Sequence, residues 1–173
     1  MIYFLGQVAG SSSSNPRQGG GTNYICMKGD PSYINFRYSS NYDRVSLYPV
    51  RFGRVSNVLT IPGYQKQSLD HLGVSCAVCL TNNPVVMMPG TKDCPVKWKK
   101  HYFGYLMAQA QNGSASEFIC VDIKSKGRPN TKSSSSGRPF LSLVQYKCPD
   151  SSCGDYQQHT NKPIPCVVCS KTF

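Results

Sequence analysis

The chain has 173 residues, a net charge of +11, 39% hydrophobic and 16% charged residues. It is too apolar and too weakly charged for a disordered chain, and long enough for one large core or two small ones. Glutamate occurs once, as Glu117, while Ser, Tyr, Val, Gly and Pro are plentiful, a bias toward strands and turns over helices.

Residues 1–88 carry +4 and residues 89–173 carry +7. A basic surface attracts polyanions in general, and charge alone does not choose among nucleic acid, sulfated glycan, acidic membrane or mineral oxyanion. No apolar run approaches the roughly 18 residues of a membrane span. Residues 1–10 lack the basic start and long apolar stretch of a secretory signal, so an exported protein would have its leader outside this sequence. Nine cysteines imply either an exported, disulfide-bonded protein or an intracellular metal binder.

In chain order, residues 1–9 read as a strand, and 11–21 (SSSSNPRQGGG) as a Ser- and Gly-rich loop. Tyr24–Met27 is a short strand carrying Cys26. Residues 28–43 offer short, twisted structure at best. Arg44–Phe52 alternates apolar and polar residues and predicts a half-buried strand, pushed toward an edge by Pro49. Val55–Ile61 reads as a further strand, and Val85–Met88 as another, stopped by Pro89-Gly90. Trp98–Ala110 ends like a helix, but its HYFGY cluster and Gly104 favour a strand. Phe118–Ile123 and Phe140–Tyr146 are strands, 124–138 is a basic, Ser-rich loop, and the final Cys-rich stretch reads as mostly turns.

The pattern repeats. VSCAVC around Cys76 and Cys79 matches IPCVVC around Cys166 and Cys169, and YICM around Cys26 matches FICV around Cys120. Tyr3-Phe4 aligns with Tyr102-Phe103. The cysteine offsets are 94, 90 and 90 positions. Near-constant offsets with matching neighbours predict a tandem duplication, with a first copy over 1–83 and a second over 84–173. Cys148 and Cys153 have no counterpart in the first copy. Cys94 opens the second copy, and its counterpart would fall before Met1, so the first copy is truncated at its opening strand and one of the nine cysteines lacks a partner within the chain.

The run SCAVC…VVMMPGTKDCPVKW…YFGYLMA, the closing PCVVC and the duplication resemble the C-terminal non-collagenous domain of collagen IV. They are more similar still to the collagen-IV-like domain of the short-chain (spongin-type) collagens of sponges, as is GYQKQSLDHLGVSCAVC. The chain has no Gly-X-Y repeat and hence no collagen triple helix. The resemblance implies an all-β, duplicated, disulfide-bonded module. It also implies a pairing: Cys94–Cys169, Cys120–Cys166, Cys148–Cys153 and Cys26–Cys76, with Cys79 unpaired or bonded to another chain.

Alternative chemistries are weaker. Two CxxC pairs suit a zinc centre, but 86 residues separate them where zinc ribbons keep roughly 15–20. No βαβ pattern supports a thioredoxin-type site. Asp70-His71 is a conceivable catalytic pair, yet no GxSxG elbow or Cys-His protease signature accompanies it, so no catalytic site is expected, and no metal or cofactor. The basic segments are Lys97, Lys99 and Lys100 beside His101, and Lys124, Lys126, Arg128, Lys132 and Arg138. They read either as a solvated face or as a polyanion contact, in which ammonium groups pair with oxyanions and loop hydroxyls hydrogen-bond to them. Asn112 begins the only glycosylation sequon, meaningful in a secreted protein.

The expectation is an extracellular structural protein that assembles into filaments or matrix, with silica or silicic acid of a sponge spicule as one polyanion it would contact. A secreted module for sulfated glycan or cell-surface partners is the alternative. An intracellular zinc protein on nucleic acid is the remaining one.

Overall fold

β-branched and aromatic residues favour strands, and the regular structure of the described residues is almost entirely strand. A computed structural model describes residues 1–11, 21–34, 46–59, 68–111, 113–133, 139–148, 153–154 and 158–172. The elements are β1 (Ile2–Gly10), β2 (Ile25–Lys28), β3 (Tyr48–Pro49), β4 (Arg51–Phe52), α1 (Ser56–Leu59), β5 (Gly73–Cys79), β6 (Val85–Pro89), β7 (Trp98–Gln109), β8 (Ile119–Asp122), β9 (Gly127–Arg128), β10 (Phe140–Leu143) and β11 (Pro165–Lys171). The protein is all-β in character, with one α-helical turn among the described residues. The strands join in the order β2-β1-β5-β4-β10-β7-β11-β6, with β3 on β1, β8 on β7 and β9 on β5.

One pairing register occurs twice. β1 is antiparallel to β2 and β5, and β7 is antiparallel to β8 and β11. Gly6 faces Lys28 and Cys76, while Gly104 faces Asp122 and Cys166. Val8 faces Cys26 as Leu106 faces Cys120. Phe4 pairs with Val78 as Tyr102 pairs with Val168, and Ile2 with Cys79 as Lys100 with Cys169. Both ladders slip by one residue at the same place, Tyr3 in one and His101 in the other. Ala9 opposite Pro49 is repeated as Met107 opposite Leu143.

This register sets Phe4-Leu5, not Tyr3-Phe4, against Tyr102-Phe103. The aromatic pairs look alike in sequence, but the cross-strand pairing sets the alignment one position away. A single-residue slip would turn every side chain to the opposite face, so the ladder decides.

Two glycines hold the strands close. A Cβ on Gly6 would lie 2.1 Å from the Met27 carbonyl oxygen, and one on Gly104 would lie 1.8 Å from that of Val121. Only glycine allows this backbone approach. It also explains why Trp98–Gln109 is a strand despite its helix-like end.

Other predicted elements differ. The 44–52 strand is split into β3 and β4 around Val50, and residues 44–45 lie outside the described set. Val50 donates its N–H to Val8 and accepts from Val74, so this segment wedges between β1 and β5 instead of lying at an edge. In place of a strand over 55–61, the structure has α1, with residues 60–61 outside the described set. Its start is capped from a distance. Asp70 Oδ1 accepts the N–H groups of Val55 (2.7 Å) and Ser56 (2.9 Å) and the Ser56 hydroxyl (2.9 Å), satisfying donors that a helix start leaves bare. The final Cys-rich stretch is not mostly turns: Pro165–Lys171 forms β11. The 124–138 loop contains the two-residue strand β9.

The main core takes Val8, Val50, Phe52, Val55, Leu59 and Val74 from the first range and Met107, Val121 and Leu141 from the second. β10 joins them by running parallel to β4, Phe140 against Arg51 and Leu141 against Phe52. Fully burying side chains such as Phe52, Met107 and Leu141 contributes about 1.5–3 kcal/mol each. A second cluster of Leu106, Cys120 and Cys166 lies under β11.

Candidate functional site

Four disulfides cross-link the fold: Cys26–Cys76, Cys94–Cys169, Cys120–Cys166 and Cys148–Cys153. These are the four pairs the resemblance implies. Cys26–Cys76 ties β2 to β5, and Cys120–Cys166 ties β8 to β11, the same bond in both halves. Cys79 remains a free, exposed thiol. Each CxxC thus commits its first cysteine to a strand-to-strand bond, so the pairs are not thiolate half-sites for zinc.

The two CxxC strands differ at one edge. β6 lies antiparallel on β11, from Pro89 opposite Cys166 to Val85 opposite Ser170. Beyond it Cys94 bonds Cys169. The backbone also donates from Gly90 to Pro165 and from Lys171 to Pro84. Among the described residues, the corresponding edge of β5 carries only β9, opposite Gly73 and Val74. The N–H and C=O of one residue in an antiparallel strand point to the same side, and sides alternate. Leu80 bonds inward to Met1, and Val74 bonds inward to Val50. Ser75, Ala77 and Cys79 therefore turn their backbone groups outward, and all three residues are exposed. No described strand pairs with them there.

The predicted basic residues fall on two elements. Lys97, Lys99 and Lys100 lie at the start of β7. Lys97 adopts φ 64. Lys100 Nζ is 2.7 Å from Asp93 Oδ1 and 3.0 Å from the Lys92 carbonyl, and lies 5.5 Å from the Phe103 ring centre. Its charge is partly spent locally. The hydrogen bonds from Lys100 and then Lys92 hold the Asp93 carboxyl below its usual range. Lys124, Lys126, Arg128 and Lys132 belong to the β8–β10 connection. Arg128 Nη1 donates to Gln7 Oε1 at 3.0 Å, while Lys126 and Lys132 are exposed. Arg138 and Asn112 lie outside the described residues, as do Ser134–Ser136 of the same loop.

Asp70 and His71 act on the fold. Burial pushes the Asp70 carboxyl up, but the hydrogen bonds from Val55 and Ser56, with the neighbouring His71, bring it below its ordinary value. His71 sits at φ 64, its N–H on the Phe52 carbonyl and its ring edge-on to Phe140 at 5.3 Å. The chain's one glutamate also has a structural place. Glu117 Oε1 accepts the Tyr24 N–H, and Ser116 Oγ donates to the Tyr24 hydroxyl at 3.0 Å, joining the two halves at a polar-lined groove. Burial, opposed by that Ser116 bond and aided by Glu117, raises the Tyr24 phenol.

The sequence reading named a truncated opening strand but not the edge of β5 that no described strand covers. The signal was present: Cys79 matches Cys169, whose partner Cys94 has no counterpart in the first half.

Four disulfides define a protein suited to an oxidising, extracellular or secreted environment. No described helix is long and apolar enough to cross a membrane. The chain matches no family model, no curated protein and no solved structure.

Proposed function

We propose that the protein is an extracellular structural component, a member of the collagen-IV-like group, that self-assembles into matrix or filament and contacts polyanions. The repeated register of β1/β2/β5 and β7/β8/β11, with the same disulfide in each, supports a duplicated module of that kind. The observation that carries the assembly is an apolar surface beside an unfilled sheet edge. Met1, Ile2, Tyr3, Leu5 and Leu80 are all exposed there, and bare strand edges template pairing with other chains. A net charge of +11, with exposed Lys126 and Lys132, supports the polyanion contact. Ionised silanols of condensing silicic acid, as in a sponge spicule, are one such surface, and sulfated glycan is the other.

The mechanism needs no catalytic centre. Ammonium groups concentrate oligomeric oxyanions on a repetitive surface, and hydroxyls hydrogen-bond to them. The test uses oxidised, purified protein. Sedimentation should show assemblies, and silicic acid should precipitate faster with them than with an equally charged control protein. Replacing Lys126 and Lys132 by Gln should slow precipitation. Rates equal to the control's would reject the silica contact. Retention on heparin by a monomer that never assembles would favour the glycan-binding module.

A further inference from the structure

β6 stands at one end of the sheet order, with β11 on one side and no described strand on the other. The ladder tells which of its residues lie on the open side. Gly90 donates its N–H to the Pro165 carbonyl at 2.8 Å, and Pro84 accepts the Lys171 N–H at 3.2 Å. Backbone groups along an antiparallel strand alternate in side. Val86 and Met88 therefore also face β11, and Val85, Met87 and Pro89 turn theirs outward. The strand is apolar on both faces of the sheet, with Val85, Val86 and Met87 47%, 41% and 36% exposed.

Charge sets this edge apart. Residues 71–91 are the longest run of the chain without Lys, Arg, Asp or Glu, and β6 lies inside it. The opposite end of the sheet order is β2, which carries Lys28, and an edge lysine opposes strand addition. Two copies of a chain with net charge +11 repel each other, so they approach best where neither presents a charge.

We propose that the β6 edge pairs with the β6 edge of a second copy, antiparallel about a two-fold axis through Val86. This names a contact for the assembly proposed above and rests on that reading. Pro89 selects the register. It has no N–H, so a pair centred on Met87 would set Pro89 opposite Val85 and leave the Val85 carbonyl without a donor. In a pair centred on Val86, Val85 of one copy exchanges N–H···O=C bonds with Met87 of the other, and Pro89 falls beyond the bonded residues. Val86 then faces Val86 of the second copy at a non-hydrogen-bonded position, where the Cα atoms lie about 4.5 Å apart and the side chains touch. Such a contact uses the same residues on both copies and closes on itself. It yields a dimer, and growth beyond the dimer falls to a separate surface, such as the exposed Met1, Ile2 and Leu5.

The test uses the full, oxidised chain. Val86→Lys and Val86→Glu each set like charges face to face across the axis. Each should weaken the dimer about tenfold or more in sedimentation velocity. An equimolar mixture of the two variants should restore it as a heterodimer, which native mass spectrometry separates from either homodimer. In the wild type, raising the concentration until dimers form should slow exchange of the Val85 and Met87 amides about tenfold. The Val86 and Met88 amides, which face β11, should not change. This amide measurement needs no substitution, so it decides the matter even where a variant fails to fold. Single variants that associate like the wild type, a mixture without a preferred heterodimer, or unslowed Val85 and Met87 amides would overturn the proposal. Large assemblies seen alongside any of those results would leave the assembly reading standing without this contact. Dimers that pass the charge exchange but never grow would keep the contact and overturn the matrix reading.

Discussion

In the second half of the molecule, β11 lies between β7 and β6 and keeps both cysteines of its CxxC out of water. In the first half, β5 has the same register to β1, the same disulfide to its neighbouring strand and the same glycine contact. Its last residues are nevertheless exposed. The difference comes from one strand and one disulfide. Pairing to β1 or β7 fixes where each residue faces, whereas burial depends on whether a further strand arrives. The same register can therefore hold a strand that is covered and one whose edge no described strand covers.

The largest expected effect separates the two equivalent disulfides. Cys26–Cys76 and Cys120–Cys166 close loops of similar size, with sequence separations of 50 and 46, so their effect on the unfolded chain is nearly equal. Removing either should cost within the range of about 2–5 kcal/mol. Cys166→Ser should cost about 1 kcal/mol more than Cys76→Ser, because it leaves a polar group in a fully buried site. Urea unfolding with both variants checks this, and equal costs would break the contrast between covered and bare halves.

A smaller pair of effects should be the same in both halves. Gly6→Ala and Gly104→Ala each force a Cβ against a neighbouring carbonyl, and each should cost about 1–3 kcal/mol. Thermal unfolding that shows one of them neutral would mean the close strand approach is not shared.

The smallest effect belongs to a device that we place in one half only. Asp70→Ala removes the distant cap of α1 and should cost about 1 kcal/mol. The folded-state carboxyl lies below its ordinary value of 3.8, so its contribution is present above that value and fades as pH falls through the lower folded one. Between about pH 5 and about pH 3, the wild type should lose more stability than Asp70→Asn. Parallel losses would remove Asp70 from the account.

Much of the site was legible because cysteines are position markers. Offsets of 94 and 90 pointed to strands that share a register, and the resemblance supplied the bonds. The strand character of β5 and β11 was not legible, because Cys-, Ser- and Pro-rich segments carry little intrinsic strand preference and are fixed by their neighbours. α1 escaped because its cap, Asp70, is 14 residues from Ser56, and Val55 and Leu59 look equally suited to a strand. The one-residue misalignment of Tyr3-Phe4 came from matching one aromatic pair to another, which only the cross-strand register tells apart. The partial neutralisation of Lys100 by Asp93 depends on a turn that sequence spacing alone does not place.

The most direct measurement is site-resolved hydrogen exchange on the oxidised monomer, comparing the outward amides of Ala77 and Cys79 with those of Val167 and Cys169. The account predicts fast exchange at the first two and strong protection at the second two, with similar protection at the inward-facing amides of both strands. Equal protection at all four outward amides would contradict it, because the β5 edge would then be covered within the monomer.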